Sequence, residues 1–149
     1  MTRQAILAVL TLATGCGSSS LDPFPDVRAE TVGDDFSVVD GFADIPVTVA
    51  NESTGATYYV WMGPGGICAS LDRLSSRGWQ PQGADTCYPA SAVAVAPGTR
   101  LDSQTLFYSD DAGTYRLRVH VGRSADQSGY SSAGEPVEPT NAFRVHSDG

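Results

Sequence analysis

Apolar and polar residues alternate in short runs along most of this chain. The clearest run is Tyr115 to Val121, where Tyr115, Leu117, Val119 and Val121 alternate with Arg116, Arg118 and His120. Successive side chains of a strand project to opposite faces, so this run predicts one face in a core and the other wet. Ile45, Val47 and Val49 repeat the pattern and end at the turn-forming stretch Asn51 to Gly55. Phe36 and Val38 open an earlier strand. Tyr59 and Trp61 share one face of a third, expected to be the core face, with Tyr58, Val60 and Met62 on the other, before Gly63-Pro64-Gly65-Gly66 stops it. Leu71 and Trp79 flank a predicted hairpin that turns at Ser75-Ser76-Arg77-Gly78. Val93 with Val95, Leu106 to Tyr108, and Phe143 with Val145 supply further strands, with a turn at Pro97-Gly98 and a Gly, Ser and Pro rich loop over Ser124 to Thr140. Beyond residue 15 no amphipathic stretch reaches helical length and no repeat occurs. The pattern predicts an all-β domain, roughly six to nine short strands in an antiparallel sandwich.

The first residues break this pattern. Met1 to Gln4 carry a positive charge at Arg3, and Ala5 to Ala13 form an apolar run too short to cross a bilayer of ~30 Å as a helix. Residues 1–15 therefore read as a signal peptide. The junction Ala13-Thr14-Gly15-Cys16 resembles the lipobox of bacterial lipoproteins, a small residue before a cysteine whose thiol receives diacylglycerol. Leu12 stands one position before the family's preferred leucine, a place held here by Ala13. The resemblance implies lipidation of Cys16, a membrane partner through that lipid, and an extracytoplasmic location in the bacterial cell envelope. Gly17 after the cysteine resembles outer-membrane sorting in diderms. Residues 16–34 are Ser, Pro and acid rich, with Pro23 and Pro25 bracketing Phe24, and read as a flexible linker; the domain is expected over 35–149.

The formal charge of −8 disfavours nucleic acid and anionic lipid as partners for the surface as a whole. Every basic residue outside histidine is Arg. With Cys16 removed, Cys68 and Cys87 are left, and in an exported protein a single disulfide is the economical reading, stabilising by about 3 kcal/mol through loop closure. The alternative, a metal site, would need His120 and His146, which stand at no familiar ligand spacing.

Asp111-Ala112-Gly113-Thr114-Tyr115 followed by Leu117 resembles the tyrosine corner of immunoglobulin-like domains. Val47, Trp61 and Leu117 look like the Cys, Trp, Cys pattern of antibody domains with aliphatic packing in place of the bridge. This resemblance implies a structural core at Val47, Trp61, Tyr115 and Leu117, and it makes Cys68 and Cys87 a peripheral staple. A second resemblance spans roughly residues 45 to 121, through Val47 to Asn51, Gly78-Trp79, Ala96 to Thr99 and Gly113 to Leu117. It is similar to bacterial Ig-like modules of lipoproteins and, more loosely, to the Bacillus-type intracellular proteinase inhibitor fold. The expected architecture is a single immunoglobulin-like antiparallel β-sandwich after a signal peptide and a flexible linker.

Chemistry is sparse. No Gly-x-Ser-x-Gly elbow surrounds a serine, so no catalytic residue is assigned and the protein is read as no enzyme. No cofactor or metal site is expected: Asp34-Asp35 and Asp110-Asp111 lack the spacing of a calcium loop. Asn51-Glu52-Ser53 has the form of a glycosylation sequon but reads as a turn. Arg116, Arg118 and His120 form a ladder of cations on one strand face. It is either a binding face for an anionic partner or a set of cross-strand pairs, each contributing ~0.2 to 1 kcal/mol. The functional expectation is a non-catalytic binding or structural module whose partner is an envelope protein or another extracytoplasmic ligand. The alternative is a proteinase-inhibitor-like protein, for which the segment 69–86 between the two cysteines is the candidate loop.

Overall fold

A computed structural model describes residues 23–82, 87–108, 111–125, 135–137 and 139–147. The expected signal peptide, Cys16 and the first part of the expected linker lie outside the described residues, as do Asp110 and parts of the loop between Ser124 and Thr140. Every regular element described is a strand. In chain order they are β1 (Val27–Thr31), β2 (Asp35–Val38), β3 (Phe42–Asn51), β4 (Tyr58–Gly63), β5 (Gly66–Ile67) and β6 (Ala69–Ser75). There follow β7 (Gly78–Gln82), β8 (Ser91–Val95), β9 (Arg100–Tyr108), β10 (Gly113–Gly122), β11 (Glu135–Pro136) and β12 (Phe143–Ser147).

Alternation explains the longest strands. In β3 the residues Ala43, Ile45, Val47, Val49 and Asn51 are buried, and in β10 Tyr115, Leu117, Val119 and Val121 are. One sheet runs β1-β3-β9, and the larger one runs β2-β12-β10-β4-β5, with β6 attached beside β10, β7 beside β6 and β8 beside β4. The two inner faces meet in one core, where Ile45, Val47, Val49 and Phe107 face Tyr58, Val60, Tyr115, Leu117, Val119, Val121, Phe143 and Val145. The fold is thus the sandwich the pattern predicted, with the immunoglobulin-like form that the resemblance implied. Its pairing is mixed, because β12 runs parallel to β2 while the other ladders are antiparallel.

The tyrosine corner is present. Tyr115 is buried, and its hydroxyl donates to the Asp111 carbonyl at 2.7 Å. Asn51, buried at the end of β3, donates from Nδ2 to the carbonyls of Ala56 at 2.7 Å and Val95 at 2.9 Å, while its Oδ1 accepts from the Ser53 amide. Its amide nitrogen therefore holds the turn and joins it to β8. The β2–β3 connection turns at Asp40 and Gly41, both with positive φ, 54° and 81°, the geometry of a type I′ turn.

Two expectations need correction. Residues 16–34 are not linker throughout: β1 pairs along β3 from Val27↔Asn51 to Thr31↔Val47, and Phe24, Val27 and Ala29 are buried. Arg123 fixes the entry, donating to the Pro23 carbonyl at 3.0 Å and lying over the rings of Phe24 and Tyr58. The second correction concerns β4, whose core face carries Tyr58 and Val60, not Tyr59 and Trp61. Val60 stands directly opposite Val121 and Val93, and residues opposed across antiparallel strands share a face. Val121 points inward, so Val60 does too. Trp61 is buried on the outer face, so it does not sit between Val47 and Leu117 as the antibody-like pattern implied. Among the described residues its Nε1 has no hydrogen-bond partner.

Candidate functional site

The arginine ladder stands on the outer face of the larger sheet. In the antiparallel pairing of β10 with β6, Arg116 faces Asp72 and Arg118 faces Ser70. Asp72 is 3% exposed, and its Oδ2 accepts from Nε of Arg116 and from Nε of Arg118, each at 2.9 Å. Arg116 also lies 4.5 Å from the centre of the Trp79 ring. His120 is buried, with Nε2 2.7 Å from the Ser70 hydroxyl. The three residues are thus brought together as the sequence suggested, but their polar groups are engaged by β6. The ladder is a cross-strand network around one buried carboxylate.

The remaining expected site residues fall as follows. Cys68 and Cys87 are bonded to each other, with Cα atoms 5.3 Å apart. Residues 69–82 of the proposed inhibitory segment form the β6–β7 hairpin, with β6 hydrogen-bonded to β10 and a turn closed at Ser75↔Gly78; residues 83–86 lie outside the described residues. His146 pairs on the surface with Asp35 at 2.8 Å. Among the described residues no group of three or more His, Cys, Asp or Glu side chains is placed to hold a metal ion.

Sequence reasoning missed a cleft of about 270 Å³ between the β4–β5 turn and the edge of β9. Gly63 and Gly65 form one wall, the disulfide and Tyr88 another, and Leu106 and Tyr108 a third. Glycine is required here. A Cβ on Gly66, which has φ +104°, would lie 2.1 Å from the Gln104 carbonyl oxygen, and one on Gly65 would lie 2.8 Å from Leu106 Cβ. Inside, Thr105 Oγ1 donates to the Ile67 carbonyl at 2.8 Å and ties β9 to β5. At the rim Tyr88 is 76% and Tyr108 60% exposed. Tyr108 packs edge-on against Phe42, itself 46% exposed, with ring centres 5.0 Å apart.

The cleft lies at a defined end of the molecule. The chain enters the sandwich at Phe24 and Val27, beside Asn51 at the end of β3 and Tyr58 at the start of β4. Phe42, at the start of β3, pairs with Tyr108, and Gly63, at the end of β4, lines the cleft. A strand of ten residues such as β3 spans about 30 Å. Entry and cleft are therefore at opposite ends.

No protein-family model and no curated protein matches the chain. Among solved structures, the β-glucosidase of Listeria innocua, determined in complex with glucose, aligns with 15% identity and a TM-score of 0.39, covering 80% of this chain and 16% of that one. The β-glucosidase of Kluyveromyces marxianus, also with glucose, gives 16% identity and 0.38, covering 80% and 14%. A PapD-like (ASH) domain of human CEP192 aligns with 11% identity and 0.36, covering 99% and 94%. This chain spans only a small part of the two β-glucosidases.

Proposed function

We propose that this protein is an envelope lipoprotein that works by binding, anchored through Cys16 and holding an immunoglobulin-like domain whose cleft points away from the membrane. The observation that carries the reading is the polarity of the sandwich, with Phe24 and Val27 at the entry end and Tyr88 and Tyr108 at the other. A domain tethered at its entry end holds the opposite end outward. The bonded pair Cys68 and Cys87 supports an oxidising, extracytoplasmic compartment. The charged stretch, short apolar run and Gly15-Cys16 junction support export and lipidation.

Anchoring is tested by fractionating cells that express the full chain or Cys16→Ala and by mass spectrometry of the membrane-bound protein. The expected result is a diacylated N-terminal cysteine and loss of membrane retention in the variant. A Cys16→Ala protein that stays in the membrane fraction, or a wild-type chain with an unmodified Cys16 thiol, overturns the anchor.

A further inference from the structure

We infer that the cleft between Tyr88 and Tyr108 is a binding site for a neutral carbohydrate, one or two pyranose rings of a glycan. This deepens the reading of the protein as a binding module and does not depend on the anchor. A pyranose presents a face of C–H bonds and a rim of hydroxyls. Such a ligand needs an apolar aromatic surface, nearby hydrogen-bonding groups and no counter-charge. Among the described residues the cleft supplies the rings and the hydroxyls and presents no charged side chain.

Tyr88 and Tyr108 expose most of their surface to water although both are large and partly apolar, and rings left exposed around a concave surface mark contact sites. Their phenol groups donate and accept hydrogen bonds. Among the described residues no Asp, Glu, Arg or His lines the cleft, and the net charge of −8 disfavours an anionic ligand. The walls are held in advance. The disulfide fixes one side, Gly65 and Gly66 bring the turn against β9, and Phe42 supports the Tyr108 ring. A site formed before binding loses less entropy when it is occupied.

A proline-rich peptide is another ligand that docks on aromatic surfaces. It lies extended over several residues at about 3.1 Å each. A cleft of about 270 Å³, walled by a turn and a disulfide, suits a ring or two better than such a segment.

The test is titration calorimetry of the detergent-solubilised full chain with neutral hexasaccharides of glucose, mannose and N-acetylglucosamine in α and β linkages. Polygalacturonate and a decaproline peptide are run alongside. At least one neutral hexasaccharide should bind and compete with its own monosaccharide, with neither polygalacturonate nor decaproline binding more tightly. Tyr88→Ala and Tyr108→Ala should each weaken that binding about tenfold, while Tyr88→Phe, which keeps the ring, should stay within about threefold of wild type. Near-UV circular dichroism verifies that each variant is folded. Binding of decaproline alone overturns the carbohydrate assignment and leaves the binding-module reading standing. No binding by any neutral hexasaccharide, or binding unmoved by both alanine variants, overturns the assignment of this site. None of these outcomes bears on lipidation of Cys16.

Discussion

Asp72 binds two guanidinium groups through one oxygen, and its own burial makes that arrangement expensive to disturb. The side chains of Arg116 and Arg118 are 20% and 38% exposed, so both can turn partly to water if the carboxylate is lost. Asp72→Ala should therefore destabilise toward the lower end of the range for breaking a buried pair, about 3 kcal/mol. It should be read as a lower denaturant midpoint at constant m-value. A midpoint within error of wild type would return the arginines to the status of an available binding face. Tyr115→Phe is milder, since it removes one hydroxyl from a ring that stays packed on Phe107. The Asp111 carbonyl it leaves belongs to an exposed residue that water can reach, so the expected loss is about 1 kcal/mol. If the midpoint does not move, the hydroxyl is not what fixes the corner.

At the level of elements, alternation was readable only where the two faces differ in polarity. In β10 the inward Tyr115, Leu117, Val119 and Val121 alternate with Arg116, Arg118 and His120, and in β3 the inward Ile45, Val47 and Val49 alternate with smaller or polar residues, so parity could be read directly from the residues. In β4 both parities carry large apolar side chains, Tyr58, Val60 and Met62 against Tyr59 and Trp61, and only pairing with Val121 decides between them. β1 did carry a signal, because Val27, Ala29 and Thr31 alternate with Arg28 and Glu30, but the neighbouring prolines and acids concealed it. The cleft carried none, since Gly63, Tyr88 and Tyr108 come from separate segments and follow no period. The disulfide links the β5–β6 junction to the residues before β8, outside the two-sheet core. Its loss in a Cys68→Ala, Cys87→Ser variant should leave the sandwich folded and cost about 3 kcal/mol. Because the bridge also walls the cleft, proteolysis should begin near residue 87. A variant with no cooperative unfolding transition would mean that the bridge, and not the apolar core, holds the sheets together.

For the whole molecule, the placement of β1 sets both stability and reach. Pro23 lies seven residues after Cys16, and a fully extended stretch of that length spans about 25 Å. A lipid on Cys16 would then hold the entry end close to the bilayer, with the strand length beyond it carrying the Tyr88 and Tyr108 end outward. A linker continuing to residue 34 would instead let the domain wander much farther. The two arrangements separate in truncation. A chain beginning at residue 23 keeps Phe24 against Tyr58, Arg123 over both rings and β1 along β3, and should unfold at the midpoint of the longer chain. A chain beginning at Asp35 loses the burial of Phe24 and Val27, roughly 5 kcal/mol at ~1.5 to 3 kcal/mol per side chain, from a total typically of about 5 to 15 kcal/mol. It also uncovers the half of the β3 edge that β1 covers, from Val47 to Asn51. That truncated chain should be unfolded or self-associated by light scattering at micromolar concentration. If it is monomeric with an unchanged midpoint, β1 contributes nothing to the sandwich and the long tether is restored.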